Sequence, residues 1–345
     1  MVRSSRSESK TPTLTEILES LKSGQTNRRT LYGLSNLERS EAEQVWAIWG
    51  RLPVVTRRKM AQMMVEIAES DFEVNFDEVF RLVLEDPDAT VRLAAVEGLW
   101  ENEDIRLVPV LANVLLNDPA AEVRAAAATS LGRFMLSGEL GKIRPRPHQQ
   151  AFQALLAACT NEKEDLEVRR RALESLAYSG ESVVIDLIRA AYRHPDERMR
   201  VSAVFAMGRS ADDRWAAEVM RELHSPSPQM RYEAARACGE LELADAVPAL
   251  LELIEDVDAE VQEAAIWALG QIGGDEARQA LDACRHSDSE ALRGAAREAL
   301  RELEFLHGDL GAFLLFDFFE DEEDDEEDWD EDWDEEWEQE GRSRK

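Results

Sequence analysis

A short motif that recurs seven times between residues 91 and 300 constrains this chain more than any other feature. Each copy starts with a hydrophobic residue, has alanine four positions later, a small residue after seven and Leu, Met or Cys after eight. These offsets lie on one face of an α-helix. Successive copies are 32, 45, 31, 31, 31 and 31 residues apart. Repetition at this period predicts an α-helical repeat protein. The copies start at Val91, Val123, Val168, Met199, Met230, Val261 and Leu292.

Residue types that cap helices precede the motif. Asp or Ser stands three positions before six of the seven starts, where its side chain can accept a backbone N–H. The second copy has Ala120 instead, with Asp118 as a nearby substitute, and Pro228 falls at a first helical position. A second amphipathic segment, such as 247–256, lies upstream of each cap, so each unit is predicted to be a helix pair that stacks on its neighbours. The six caps are Asp88, Asp165, Asp196, Ser227, Asp258 and Ser289.

An arginine follows the first motif residue in six of the seven copies. The six could form an anion-binding ladder, or each guanidinium could bond acidic and carbonyl groups of the adjacent turn between helices. We favour the second interpretation. The residues are Arg92, Arg124, Arg169, Arg200, Arg231 and Arg293, with Gln262 as the exception.

The full pattern, D-x-x-x-x-V-R-x-x-A-x-x-A-L-G, resembles the short HEAT-like repeat of phycobilisome-lyase-type proteins. Its closest copy is DVDAEVQEAAIWALGQIG, residues 256–273. The resemblance covers about 75–303 and implies an all-α fold, a right-handed α-solenoid of HEAT-like helix pairs. It implies little about function, because such repeats serve chromophore lyases, scaffolds and adaptors alike.

The remaining segments suggest four regions. Residues 1–12 read as a disordered arm, and 13–74 as a helical N-terminal cap with helices over 13–23, from Glu41 after a capping Ser40, and over 54–69. The solenoid extends over 75–308 and is interrupted near 135–150. There, glycines and prolines predict a loop made basic by Lys142, Arg144, Arg146 and His148. Residues 309–319 are apolar and either cap the stack, which we favour, or form a linear binding motif.

The C-terminal tail combines acid with aromatic residues. Between residues 317 and 340 there are 18 acidic residues and no basic one, and Trp329, Trp333 and Trp337 recur every fourth position. Such charge density predicts disorder in the free chain. The tail could simply aid solubility, but spaced tryptophans suit docking onto a basic, partly apolar surface. That surface could belong to a partner or to the chain itself, either in a solenoid groove or at the basic insertion.

Composition excludes several classes. A formal net charge of −32 disfavours nucleic-acid binding, which needs a basic surface against phosphate. The first residues lack the apolar stretch of a secretory signal, and the longest apolar run, near 313–316, is too short to cross a bilayer. Three widely separated cysteines suggest a reduced, cytoplasmic protein. We therefore expect no direct nucleic-acid contact and no membrane contact.

No catalytic constellation stands out. None of the five histidines is followed by Glu, so the His-Glu pairs that bind iron in the HEAT-type hydroxylase of the hypusine pathway are absent. Metalloprotease, phosphate-loop and serine-hydrolase motifs are absent too. His194, His224 and His286 stand before helix caps and read as turn residues, and Cys238 reads as an inert core residue. We predict no catalytic residue, cofactor or metal ligand.

Helical geometry predicts a binding groove. With the alanine stripe inward, offsets 2, 6 and 9 of the motif would lie on the opposite, concave side, unless adjacent repeats or 313–319 cover them. The predicted partner-binding residues are Leu93, Trp100, Arg170, Val201, Phe205, Tyr232, Arg236 and Trp267, joined by Trp329, Trp333 and Trp337 of the tail. The predicted function is a non-enzymatic scaffold or adaptor for another protein, and a basic surface on that partner would suit the acidic tail. The alternatives are an accessory chromophore-lyase-type protein and a chaperone or nucleic-acid mimic for a basic partner.

Overall fold

The computed structural model describes residues 13–23 and 26–307, and these contain α-helices and two short 3-10 helices but no strand. The all-α prediction is confirmed. Predictions about the 1–12 arm and about residues 309–345 lie outside the described residues. The helices are α1 (Leu14–Lys22), α2 (Arg28–Tyr32), α3 (Arg39–Trp49), α4 (Val54–Ser70), α5 (Asp77–Val83), α6 (Ala89–Gly98), α7 (Leu107–Asn117), α8 (Ala121–Glu139), α9 (Pro145–Thr160), α10 (Leu166–Leu176), α11 (Ser182–Tyr192), α12 (Glu197–Arg209), α13 (Ala216–Glu222), α14 (Pro228–Glu240), α15 (Val247–Leu253), α16 (Ala259–Ile272), α17 (Asp275–Cys284) and α18 (Glu290–His307).

The chain forms two compact units, divided between Ala246 and Val247. In the first unit, the motif-bearing second helices α6, α8, α10, α12 and α14 stack side by side in chain order, and each also packs on the helix before it. The second unit repeats the arrangement with α16 and α18 adjacent, packed on α15 and α17 respectively. Each unit is therefore a stack of helix pairs, as the repeat predicted.

The motif alanines form the contact line within the stack. All seven are fully buried: Ala95, Ala127, Ala172, Ala203, Ala234, Ala265 and Ala296. Close approach between second helices depends on glycine at offset 9 facing a small residue at offset 7 of the next repeat. A Cβ added to Gly208 would lie 2.8 Å from the Cα of Ala237, and one on Gly270 would lie 2.9 Å from the Cβ of Ala299. Side-chain volume at these two offsets thus fixes the spacing of the second helices.

Most predicted caps are confirmed. Side chains of Asp88, Asp165, Asp196 and Asp258 accept backbone N–H groups of their helices, and Ser289 accepts one from Leu292.

Two cap assignments are wrong in the first unit. Ser227 stands at the N-cap but its side chain makes no capping bond, and α14 instead begins with Pro228 as predicted. Asp118 accepts the N–H of Ala120, at 2.9 Å, rather than one from inside the helix.

The predicted loop over 135–150 is mostly helical, which corrects the sequence interpretation. Helix α8 continues to Glu139 and α9 begins at Pro145, so only 140–144 lie outside the helices. Gly138 lies against the ring of His148, where any Cβ would clash at 2.2 Å, and Gly141 turns the chain with a φ of +70°. Proline at the first helical position removes no hydrogen bond, so it starts α9 rather than forbidding it.

The N-terminal region agrees with the sequence except at one cap. Helix α1 has a capping box between Thr13 and Glu16, and α4 covers almost the range predicted. The prediction that Ser40 caps α3 is wrong, because α3 already begins at Arg39 with Glu38 as its N-cap.

Helix α4 is the second helix of a further repeat that the motif did not reveal. Arg57 donates through Nη1 to the Leu52 carbonyl, at 2.7 Å, and through Nε to Asp86, at 2.8 Å. One repeat later, Arg92 donates in the same way to the Asp86 carbonyl, at 2.8 Å, and to Asp118, at 2.7 Å.

The motif was hidden because Met60 and Met63 stand at offsets 4 and 7, where the other copies have small residues. Met60 and Met64 occupy the offsets of the motif alanine and leucine and are completely buried. Methionine is flexible enough to fill such a site without the close approach that alanine permits.

Candidate binding surfaces on the second helices

The arginine after the first motif residue bonds the turn between helices, as predicted. Arg124 donates to the Asp118 carbonyl at 2.7 Å, Arg200 to the His194 carbonyl at 2.9 Å, and Arg293 to the Ser287 carbonyl at 2.8 Å. Gln262 replaces this bond with its side-chain amide, which donates to the Asp256 carbonyl at 2.8 Å. Arg169 departs from the pattern and donates to the Cys159 carbonyl at 3.2 Å.

Three of these arginines in the first unit also reach an acidic residue of the following turn. The pairs are Arg57 with Asp86, Arg92 with Asp118 and Arg124 with Glu164, all with nitrogen–oxygen distances of 2.6–2.8 Å. The arginines therefore bind the chain itself, and the anion-ladder alternative has no structural support.

Several residues at offsets 2 and 9 of the motif are buried, which corrects the groove prediction at Val201 and Arg170. Val201 and Arg170 at offset 2 are only 2% and 7% exposed. Offset 9 is buried too, at Gly132, Gly208, Gly239 and Gly270. The wheel places these positions opposite the motif alanines, but each of α6, α8, α10 and α12 packs on two neighbouring second helices as well as on its own first helix. In the motif copies that include α10, α12 and α14, the residues at offsets 6 and 10 remain half-exposed.

The outward residues of α10, α12 and α14 form a surface that we call the central face. It consists of Arg171, Glu174, Phe205, Arg209, Glu233, Arg236 and Glu240, all of which are half-buried. Two of the predicted partner-binding residues, Phe205 and Arg236, belong to it.

Ion pairs cover one side of the central face. Arg171 donates to Glu167 and to Glu174, each at 2.8 Å. Ser202 donates to Glu174 at 2.6 Å and accepts from Arg170 at 2.9 Å. Arg170, which was predicted to bind a partner, is instead part of the contact between α10 and α12.

The other side of the central face is held more loosely. The Arg209 guanidinium stacks on Phe205, 5.3 Å from the ring centroid, and Nη2 lies 3.4 Å from Glu240. Nε of Arg209 has no hydrogen-bond partner among the described residues. Arg236 approaches the same Glu240 at 3.8 Å. An aromatic ring, a guanidinium and carboxylates are thus grouped on a half-exposed surface.

Glu233 gives the central face an unusual charge. Burial raises its pKa to about 7, and the neighbouring carboxylates Glu174 and Glu240 raise it further, against a lowering by Arg236 and Arg209. Burial also raises the pKa of Glu240. The charge of this surface therefore changes near neutral pH.

The other predicted residues have varied surroundings. Trp100 is 63% exposed, whereas Leu93 and Tyr232 are half-buried. Trp267 is half-buried in the second unit. Trp329, Trp333 and Trp337 lie outside the described residues. The motif did not reveal Glu233 or Arg209, because only the packing of α12 between α10 and α14 shows which offsets remain accessible.

The described histidines and cysteines form no metal-binding cluster. Within residues 13–23 and 26–307, no three His, Cys, Asp or Glu side chains are placed to hold a metal ion. Burial raises the pKa of Cys238 to about 12 and that of Cys159 to about 11. The described helices include none long and apolar enough to cross a membrane.

The structure shows stacked helix pairs with buried alanines, and a comparison with protein families agrees with it. A model of HEAT repeats matches residues 77–165 and 216–301, about half of the chain. The chain belongs to the HEAT-repeat family. The phycobilisome-lyase type of repeat stays a resemblance.

Similar proteins agree with this HEAT-repeat assignment. Deoxyhypusine hydroxylase from Cryptococcus neoformans var. neoformans serotype D (strain B-3501A) is 24% identical over 172 residues, or 49% of this chain and 48% of the relative. The chain thus spans about half the length of that protein. Yeast importin-beta (Kap95p) is 12% identical over 87% of this chain and 47% of its own, with a TM-score of 0.53. That likeness concerns the fold.

Proposed function

We propose that this HEAT-repeat protein is a non-enzymatic scaffold or adaptor that binds another protein through the outward side of its second helices. The observation that carries the proposal is the central face, where Arg209 stacks on a half-exposed Phe205 and keeps an unpartnered Nε. Aromatic rings and arginines supply most of the binding energy in protein interfaces, because they bury large areas and still offer directed hydrogen bonds. A helix or an extended segment laid across α10, α12 and α14 would engage both groups.

Substitution on the central face tests this role. Phe205→Ala combined with Arg209→Ala should weaken partner binding at least ~10-fold, the size expected for loss of interface anchors. Partners would be captured from the native source on the full chain and on the variant, then identified by mass spectrometry. Val257→Ala, at a fully exposed turn residue of the second unit, is the control. Equal capture by all three proteins would refute the central face. Trp267→Ala, tested alone, asks whether the second unit also contributes.

We also propose that the acidic tail is a second contact or an autoinhibitory element. Its charge and its three tryptophans suit a basic, partly apolar surface. Deleting 317–345 should raise partner affinity if the tail competes for the binding surface, and lower it if the tail contacts the partner. Unchanged affinity would leave the tail a solubilising role.

Two other functions follow from similarity to known proteins rather than from a described site. The first is a chromophore-lyase-type role, for which mixing with bilin should shift the absorption band. The second is the hydroxylase class, against which the sequence has no His-Glu pair to bind iron.

A third alternative, a chaperone for a basic protein, comes from the acidic tail. Its binding would fall steeply with salt. We propose a cytoplasmic location, which the three unpaired cysteines favour.

A further inference from the structure

Exposed apolar side chains collect where three neighbouring second helices of the first unit end. Phe72 follows the end of α4 and is 88% exposed, Trp100 follows the end of α6 and is 63% exposed, and Leu136 and Leu140 lie at the end of α8. Helices α4, α6 and α8 stack in that order. As second helices of successive repeats they run in the same direction, so their C-terminal ends share one edge of the unit.

Unequal helix lengths shape this edge into a notch. Arg57, Arg92 and Arg124 occupy equivalent positions, so the lengths of the three helices can be compared from them. Helix α6 ends only six residues after Arg92, at Gly98. Helices α4 and α8 continue 13 and 15 residues past their arginines. At about 1.5 Å of rise per residue, α4 extends roughly 10 Å and α8 roughly 13 Å further than α6.

Trp100 occupies the step left by the short helix. The Trp100 carbonyl accepts a hydrogen bond from Nη1 of Arg133 on α8, which fixes the Trp100 backbone against that neighbour. The indole itself stays largely in solvent. A backbone held in place beneath an exposed aromatic side chain is a preorganised contact, because little entropy remains to be lost on binding.

Carboxylates surround the notch without counter-ions. Glu66, Glu69, Glu73, Glu97 and Glu101 are all exposed, and none forms an ion pair within the described part of the chain. Burial raises the pKa of Glu97, and the nearby Glu69 charge raises it further, so like charges meet at the ends of α4 and α6. A bound cation would relieve the repulsion between these charges.

We propose that the notch, made by Phe72 and Trp100 with Glu69 and Glu97, docks a partner segment that carries lysine or arginine beside an apolar anchor. Tryptophan and carboxylates together suit such a segment, because the indole face attracts a cation and the carboxylates neutralise it. The proposal rests on the binding role proposed above and adds a second surface with a stated ligand chemistry.

Charge decides against two other occupants. A second copy of this chain carries a net charge of −32 and would bring carboxylates to carboxylates. The chain's own apolar segment, 309–319, is bounded by Asp309 and Asp317 and runs directly into the acidic tail. A basic segment of a different protein is the complement that the notch lacks.

Differential peptide selection tests the notch on the full-length chain. A random dodecapeptide phage library would be selected on the wild type, on Phe72→Ala with Trp100→Ala, and on a control, Val257→Ala with Phe305→Ala. The control removes two comparably exposed apolar side chains from the second unit. Thermal melting by circular dichroism should show equal midpoints for the three proteins, since all four side chains are exposed. Peptides that bind the acidic tail are retained by every protein and are thereby subtracted.

We expect sequences that are lost only on Phe72→Ala/Trp100→Ala and that combine Lys or Arg with an apolar residue. A synthetic copy of one should bind that variant at least ~10-fold more weakly than the wild type. Glu69→Gln with Glu97→Gln should weaken it roughly 3-fold and reduce its salt dependence.

Three results would overturn the notch. Lost sequences that are acidic or uncharged contradict its ligand chemistry. Specific sequences that all three proteins retain contradict its location but leave the binding role intact. If none of the three proteins, the wild type included, selects a specific sequence, both proposals are overturned.

Discussion

The guanidinium of Arg57 donates to both carboxylate oxygens of Asp86, with Nε at 2.8 Å from Oδ2 and Nη2 at 3.3 Å from Oδ1. The indole N–H of Trp49 donates to the same Oδ2 at 2.7 Å. Both charged side chains are buried, so this pair joins α4 to the next turn inside the stack rather than on its surface. The link extends the turn-bonding pattern one repeat closer to the N-terminus than the motif does.

Asp86→Asn should therefore lower the free energy of unfolding by about 3 kcal/mol, because it leaves the buried Arg57 charge without a counter-ion. Urea unfolding followed by circular dichroism measures the change. The control is Glu43→Gln in the exposed Arg39–Glu43 pair, 3.6 Å apart, which should cost less than about 0.5 kcal/mol. Equal effects of the two substitutions would contradict a buried link.

Gly208→Ala should destabilise the first unit by about 1–3 kcal/mol, because its new methyl group would meet Ala237 at 2.8–2.9 Å and force α12 away from α14. Gly294 is the matched control, since it lies in α18 with nothing within 4 Å of an added Cβ. Gly294→Ala should stabilise by roughly 0.5–1 kcal/mol through helix propensity. The measurement is the shift in thermal midpoint, and shifts of the same sign would argue against a packed seam.

Glu233→Gln should change stability in a pH-dependent way. The folded pKa of Glu233, about 7, lies above its unfolded value, so the folded state binds the proton more tightly. Stability from this group is present at low pH and is lost as pH rises from about 4.5 through 7. The variant should therefore equal the wild type near pH 4 and exceed it at pH 8.5 by on the order of 3 kcal/mol.

The Glu233 measurement is urea unfolding at both pH values, with the exposed Glu263→Gln as control. A constant difference between the variant and the wild type across pH would show that Glu233 does not titrate in this range.

Asp258→Ala should cost about 1 kcal/mol, because the Asp258 side chain accepts the N–H groups of Glu260 and Val261. Ser227→Ala, at the equivalent position of the previous repeat, should cost almost nothing because Ser227 makes no capping bond. Chemical unfolding of the two variants tests both values. A larger loss for Ser227→Ala would mean that its hydroxyl caps α14 in solution.

Thiol labelling should separate the three cysteines. Cys284 is half-exposed, whereas Cys159 and Cys238 are buried and burial raises the pKa of both thiols. At pH 8 an aromatic disulfide reagent should label Cys284 first, and the other two only after unfolding. Fast labelling of all three in the native protein would show that the stack opens readily.

Features that depend on one helix pair could be predicted from the sequence better than features that depend on tertiary packing. The motif alanines, four aspartate caps and the turn-bonding arginines were all predicted, because each depends on residues within one helix pair. Ser40 was wrongly assigned, because several residues near a helix start can cap and only the backbone shows which one does. Ser227 does stand at the N-cap of α14, but its side chain makes no capping bond. The repeat containing α4 was missed because methionine replaces its small residues.

The candidate site was predicted only in part. Phe205, Arg236 and Trp100 are accessible as expected, yet Val201 and Arg170 are covered by the next repeat. A helical wheel gives the direction of a side chain from its own axis but carries no information about how many neighbours surround that axis.

The sequence by itself determined that this chain forms stacked helix pairs, since periodicity, capping and the turn-bonding arginine are local properties of the chain. Only the tertiary structure decided which faces of the second helices stay open, because each inner second helix of the first unit is packed on both sides by neighbours 31 to 45 residues away in sequence. The notch at Trp100 and the raised pKa of Glu233 have the same origin. The notch arises because stacking places a short helix between two longer ones. The pKa of Glu233 is raised because stacking buries it and brings the Glu174 carboxylate of another repeat close to it. Neither arrangement exists within a single repeat.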